Sequence, residues 1–335
     1  MASALRRYAY AQARVRARLS RRLTREQLDS LAAAPDASVL QRELVALGWA
    51  QPVLAVLAAF EDVLRMLEGA PRAVVAAYRA RYECENLGVL LRAFEKGLAY
   101  ADVAPLLLPV GALGPGRRAE ELLEASTLAD GVARLDPSPF GDVLRRQVCA
   151  AGARGQPVDR FHLELVAERN VYEAAWRSID ALADRDRRSA AAVLGVELDC
   201  VNLIRSARLR QRHGKSPEEV LAYSIRGGLY LDAARRAVLA YEPVESWAAQ
   251  LAATPYGAAL AAAGGSPRLE LELGRVRAQS AERALSSSPF AIGLVLAHLV
   301  LVEIQATDLQ RLVEGKRLGL PESWLRAGLV SGRRR

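Results

Sequence analysis

The sequence has little that would build a disulfide scaffold, a metal centre or a β-sheet. Three cysteines in 335 residues are too few for a disulfide framework. The three histidines, His162, His213 and His298, stand in separate segments, with no HExxH and no paired Cys/His spacing, so no metal-ligand motif is present. Aromatic residues make up only 6% of the chain. Strands favour aromatic and β-branched residues, whereas the Ala, Leu and Val that dominate here suit helices packed through small side chains. No sustained period-2 alternation occurs; only 106–110 and 223–231 leave room for short extended segments.

Long hydrophobic runs are missing too. The longest, Phe290–Val302, is 13 residues and contains Gly293 and His298. A spanning helix needs about 20 apolar residues, so no transmembrane segment is expected. The N-terminus lacks the apolar core of a secretory signal. With so few cysteines, these absences point to the cytoplasm.

Lysine is scarce, at three of 46 basic residues, and acids are missing from residues 1–25, which carry eight arginines (6, 7, 14, 16, 18, 21, 22 and 25). The other 310 residues hold 38 basic and 38 acidic groups, so the net charge of +8 belongs to the N-terminal stretch. There is no body-wide basic surface, and nucleic acid is not an expected partner. A helix over Ala4–Arg22 would put Tyr8, Ala11, Val15 and Leu19 on one face and Arg7, Arg14, Arg18 and Arg21 on the other. The arginine face suits an anionic partner or lipid headgroups, a mitochondrial presequence, or the solvated side of a core helix; the last is preferred, because charge patterns alone are weak signals.

Catalytic signatures fail in the same way. His213-Gly214-Lys215-Ser216 ends like a phosphate-binding loop, but Leu209 stands where the first glycine is needed and no strand precedes it. Ser216-Pro217-Glu218-Glu219 instead reads as a helix start: Ser216 N-cap, Pro217 at N1, Glu219 completing a capping box. His298, in an apolar helix, is expected to be a satisfied core histidine. No catalytic, cofactor-binding or metal residue is assigned, and no cofactor is expected.

What the sequence does contain is a repeat. Glu197–Gly214 (ELDCVNLIRSARLRQRHG) has partners in Arg81–Gly97 (RYECENLGVLLRAFEKG) and Glu303–Gly319 (EIQATDLQRLVEGKRLG), anchored at Asn86-Leu87, Asn202-Leu203 and Asp308-Leu309. An acid stands three residues before the anchor in two copies (Glu83, Asp199) and a cysteine two before (Cys84, Cys200); the third copy has Gln305 and Ala306. Asn86 to Asn202 is 116 residues. The same offset separates Gly111 from Gly227, and Pro139-Phe140-Gly141 from Pro255-Tyr256-Gly257. Pro35 with Leu40 is a weaker early copy. Three duplicated helical units follow, over 1–115, 116–231 and 232–335. The repeated acid and asparagine (Glu83/Asn86, Asp199/Asn202, Glu303/Asp308) read as a polar network that fixes each unit's packing, with a contact to a neighbouring protein as the alternative. Cys84 and Cys200 read as small core residues, and the glycines at 111 and 227–228 as sites of positive φ or close backbone approach.

Helices are expected from a capping box at Thr24–Gln27, and over Ser38–Leu47, Pro52–Leu67, Arg72–Phe94, Ala119–Ala125, Arg160–Leu182, Arg187–Arg212, Arg268–Leu285, Phe290–Gly315 and Leu320–Leu329. Breaks are expected at Gly69–Pro71, Asp136–Gly141, Gly152–Pro157, Asp184–Arg188 and Gly264–Pro267.

The order of these motifs resembles the C subunit of bacterial and archaeal V/A-type ATPases, equivalent to the d subunit of the eukaryotic vacuolar enzyme. The matching pieces are Tyr8–Arg18 (YAYAQARVRAR), the repeated Asn/Asp-Leu helices, Ile225-Arg226-Gly227-Gly228, and Pro289–Leu309 (PFAIGLVLAHLVLVEIQATDL) followed by Gly319-Leu320-Pro321. The resemblance implies an all-α fold of three pseudo-repeated domains, forming a funnel with approximate three-fold internal symmetry. It implies a non-catalytic rotor subunit, one copy per complex, seated on the membrane proteolipid ring at its cytoplasmic face and receiving the central stalk subunits. Such a socket passes torque between ATP turnover and proton or sodium transport. The loops after the repeat helices, including Arg226, and the first-helix arginines are the contact candidates. One departure stands out: Val302 precedes Glu303 where the family tends to carry a base, so an ion pair from that base is expected to be missing. The alternatives are a helical-repeat scaffold for another protein complex, and RNA or lipid binding through the arginine-rich first helix.

Overall fold

A computed structural model describes residues 2–135, 138–264, 266–287 and 290–332, the side chains of 2–7, 266 and 267 apart. The described residues contain helices and no strand. In order these are α1 (Ala2–Leu19), α2 (Arg25–Ala32), α3 (Ala37–Ala46), α4 (Pro52–Met66), α5 (Gly69–Glu95), α6 (Tyr100–Val103), α7 (Arg117–Leu123), α8 (Leu128–Ala133) and α9 (Gly141–Ala153). They continue as α10 (Arg160–Ser178), α11 (Asp184–Gln211), α12 (Pro217–Tyr223), α13 (Ala233–Tyr241), α14 (Trp247–Gln250), α15 (Pro255–Ala263), α16 (Ser266–Ser287), α17 (Ile292–Arg317) and α18 (Glu322–Ala327). The expected all-α class holds. The stretches left open as extended, 106–110 and 223–231, form no strand.

Local chemistry sets several helix ends. Thr24 and Gln27 make the expected reciprocal capping box at α2, and Ser216 with Glu219 makes another at α12. Three expected breaks lie elsewhere. Gly69-Ala70-Pro71 opens α5, since proline is tolerated in a first turn, and the break falls on Leu67-Glu68. Asp184–Arg188 is the first turn of α11, where Asp184 and Asp186 complement the helix dipole. Ser266 already belongs to α16, so the 264–267 loop is shorter than expected; Asp136, Pro137 and Gly265 lie outside the described residues. The short helices α8 and α9 fill a region for which the sequence suggested only turns.

The chain forms two compact units, residues 1–72 with 179–335, and residues 73–178. The smaller unit holds most of α5 together with α6–α10, with α9 packed against both α8 and α10. In the larger unit α17 is the hub, packing against α1, α3, α4, α11 and α16. Most of it is buried: 94% of its most apolar 18-residue window, of mean hydropathy 1.6, lies inside the protein. The helix meets the length and apolarity of a membrane span, although the 13-residue run suggested otherwise. Its burial accounts for the apolar composition without a bilayer.

The start of α17 has no side-chain cap of its own, because Ala291 holds the N-cap position. α11 supplies one instead. Asp186 Oδ1 accepts from Ile292 N at 3.2 Å and Ser189 Oγ from Gly293 N at 3.0 Å, satisfying N–H groups that a helix start leaves orphaned. A Cβ at Gly293 would collide with Ser189 Oγ, so glycine is required for this approach. Asp186 Oδ2 also accepts the Tyr8 hydroxyl at 2.8 Å, tying α1 to the same point.

Arg277 on α16 joins the other two long helices. It holds Glu197 of α11 with two bonds, at 2.6 and 2.9 Å, and lies 3.7 Å from Glu303 of α17. Glu303 thus has its cation on a neighbouring helix, and Val302 itself makes no ion pair. Glu197 and Glu303 are both buried. Removing one partner of a buried pair strands its charge and costs about 3–5 kcal/mol. Arg277→Leu is expected to lose stability on that scale in chemical denaturation, and the triple variant R277L/E197Q/E303Q to regain part of it.

Candidate functional site

The repeated motif residues form organised polar clusters that bind the backbone. In the smaller unit, Asn86 on α5 makes a two-way bond to one backbone residue: its Nδ2 donates to Leu108 O and its Oδ1 accepts from Leu108 N, both at 2.8 Å. One helical turn earlier, Glu83 Oε1 accepts from Ala112 N and Leu113 N at 2.7 and 3.2 Å. In the larger unit, Asn202 on α11 treats Ile225 identically, at 3.0 and 2.8 Å. Asp199 accepts from the backbone N–H groups of Leu229, Tyr230 and Leu231, and from the Tyr256 hydroxyl at 2.8 Å.

Each pair thus latches a downstream segment onto its own helix. An amide side chain is the natural choice at the first point, because it offers a donor and an acceptor in one plane, as a backbone neighbour would. A carboxylate suits the second, where several N–H groups converge and no acceptor is needed. The third copy follows the same plan with altered chemistry. Asp308 on α17 cannot donate; it accepts from Val330 N, Ser331 N and the Ser331 hydroxyl. Gln305, at the acid position, accepts from Leu23 N at 3.0 Å. Burial pushes the Asp199 carboxyl above its ordinary pKa, and its hydrogen bonds pull against that; Asp308 is raised in the same way.

The geometry corrects one pairing made on sequence. Asn86 reaches 22 residues ahead, but Asn202 reaches 23. The second segment is one residue longer, so Gly111 corresponds to Gly228, not to Gly227. A Cβ at Gly111 would collide with the Glu83 carboxylate, and one at Gly228 with Asp199 Oδ1. Both glycines have positive φ, +65° and +111°. The carboxylate and the glycine are a single device: the backbone comes this close only because no side chain intervenes.

The aligned Phe140 and Tyr256 are both fully buried. Tyr256 adds the hydroxyl that completes the shell of Asp199, which Phe140 cannot provide for Glu83. Cys200 is a core residue, and burial drives its thiol pKa well up; Cys84 is only half-buried, contrary to expectation. His162 Nε2 lies 2.9 Å from Gln147 Oε1, and His213 is exposed. Among the described residues no group of three or more His, Cys, Asp and Glu side chains could hold a metal. Arg226 is exposed on the latched segment beyond Ile225.

His298 is the residue that sequence reasoning misjudged. It is buried in α17, 2% exposed, yet neither ring nitrogen meets a hydrogen-bond partner among the described residues. Burial pushes its pKa down to about 4, with Arg18 and Arg22 acting in the same direction and Asp62 against it. Helical periodicity could not reveal this, because the deficit depends on which side chains the neighbouring segments bring to it.

These features define an all-helical chain whose repeated polar residues bind its own backbone. A profile of the ATP synthase (C/AC39) subunit family matches residues 54–327; the chain belongs to that family. Among curated proteins it is 24% identical over 276 residues to the C subunit of the A-type ATP synthase of Methanosarcina mazei, covering 81% of this chain and 73% of that one. It is 21% identical over 277 residues to the corresponding A-type ATP synthase C subunit of Methanocaldococcus jannaschii, with coverage of 80% and 68%. It is 28% identical over 170 residues to that of Halorubrum lacusprofundi, with coverage of 50% and 46%.

Two outcomes are expected. Gly228→Ala should destabilise by about 3 kcal/mol, combining backbone strain with displacement of a carboxylate that serves three N–H groups. In an Asp199→Ala background the same substitution should cost less, and a double-mutant cycle followed by thermal unfolding measures that coupling. The pH dependence of His298 also has a sign. Below the ordinary pKa of 6.5 the unfolded chain binds a proton that the folded chain refuses down to about 4. Its contribution to stability is therefore lost as pH falls through that window and is level below it. His298→Gln should flatten the stability difference between pH 7 and pH 4 relative to the parent chain.

Proposed function

We propose that this chain is a non-catalytic subunit of a V/A-type rotary ATPase or ATP synthase, acting as a spacer and socket between the central stalk and the membrane proteolipid ring. The observation that carries this reading is membership of the ATP synthase (C/AC39) subunit family across residues 54–327. The name its relatives share, that of the A-type ATP synthase C subunit, supports the same assignment. In this reading the three repeats, 1–115, 116–231 and 232–335, form a funnel with approximate three-fold symmetry. One copy sits in each complex, peripheral to the cytoplasmic face of the membrane.

The physical case for a mechanical part is the treatment of its polar groups. Acids and amides that would serve as catalytic candidates elsewhere accept and donate within the chain's own backbone. A part that transmits torque must resist deformation between its two contacts. Close-packed helices whose loops are fastened by buried hydrogen bonds suit that demand.

Affinity purification of the tagged chain from detergent-solubilised membranes, with co-purifying chains identified by mass, tests this reading. Stalk and proteolipid subunits at one tagged copy per complex are expected. Recovery of the chain alone, from membranes that contain the ATPase, would contradict it.

A further inference from the structure

Between α1, the turn after α3, α4 and α17 lies a cleft of about 430 Å³. Its wall carries Arg14, Arg18, Arg21 and Arg22, with Trp49 at one side and His298 at the base; no carboxylate lines it. The space falls within the ordinary range for small-ligand sites.

The charges here are unevenly answered. Arg18 is paired with Asp62, which Arg65 also contacts. Burial pushes the Asp62 carboxyl up, but its bonds to Arg65 and Arg18 outweigh that and hold it low. Arg14 and Arg21 are exposed and form no ion pair among the described residues, while Arg22 is buried beside them. Four arginines line this one cleft, Arg18 answered by Asp62, and together they raise its potential and draw an anion into it. His298 is the second, independent observation. It is 98% buried and lines the cleft, and neither of its ring nitrogens meets a hydrogen-bond partner among the described residues. An imidazole in that state carries one N–H that lacks an acceptor.

The geometry points to a phosphate-binding site in this cleft, with Arg14, Arg21 and Arg22 around the anion and His298 donating from below. Phosphate answers the donor set better than a carboxylate does. A carboxylate offers two oxygens, which one arginine fork occupies. A tetrahedral phosphate has oxygens enough for several forks and an imidazole together. The groups that face His298 are Arg18 and Arg22 from α1 and the turn after it, and Asp62 from α4. A bound dianion would add negative charge there and ease protonation of the ring. Free phosphate and the headgroup of an anionic phospholipid present the same chemistry to these residues.

Two arms of one experiment separate the sources, both on the full chain. In the first, imidazole resonances are followed by NMR while inorganic phosphate is titrated at constant ionic strength, with chloride as the control. Three histidines make the spectrum simple, and His298→Gln assigns the signal. A saturable shift of His298, with His162 and His213 unmoved, is expected, weakened at least tenfold in Arg14→Ala/Arg21→Ala. Both arginines are exposed, so that variant should fold, and its thermal unfolding checks this. In the second arm, the chain is sedimented with phosphatidylglycerol vesicles. Binding that the double variant loses, in a chain whose His298 signal ignores inorganic phosphate, assigns the site to a lipid headgroup. A His298 signal that responds alike to phosphate and chloride, together with vesicle binding absent or unchanged in the double variant, overturns the proposal.

Discussion

A carboxylate taken out of water must be met by donors, and in this chain the donors are backbone N–H groups of the segment that follows its own helix. Asp199, with no exposed surface, meets three of them and a tyrosine hydroxyl. Several features of the chain follow from that demand. The segment must return to the helix about 30 residues later, it must carry a glycine where the carboxylate presses on it, and an asparagine one turn away must hold its start. An unmet acceptor of this kind costs several kcal/mol in a chain whose total stability is about 5–15 kcal/mol, so the latch and the packing of α11 stand or fall together.

The same constraint explains why the motif copies resemble one another. The acid and the glycine cannot drift separately, because each is fitted to the other. The third copy shows what can change. Aspartate replaces asparagine at the anchor, and a serine hydroxyl supplies a donor in place of the carbonyl that asparagine served. Gln305 then turns to Leu23, far away in sequence. The position goes on accepting from the backbone and loses only its donating half.

Much of this was legible in the sequence. Helical periodicity, the capping boxes at Thr24 and Ser216, and the repeated anchors were local patterns, and local physics produces them. The family resemblance followed from their order. The losses were tertiary. The Gly111–Gly227 pairing failed by one residue because an insertion is silent when only landmarks are compared. The cation facing Glu303 is Arg277 on α16, which no pattern within α17 could show. Asp184–Arg188 looked like a turn because its charges are those of a loop, yet acids also favour a helix start. His298 looked like a satisfied core residue because sequence shows that a side chain is surrounded, not by what.

The proposed role places these latches under load, as parts of a component that turns without deforming. The direct measurement is a cryo-electron microscopy structure of the assembled complex in its separate rotational states. The account predicts that the chain moves with the central stalk and ring as one rotor, with the bonds from Asn86, Asp199, Asn202 and Asp308 intact in every state. A chain that stays fixed with the stator, or whose latched segments release from their helices between states, would contradict it.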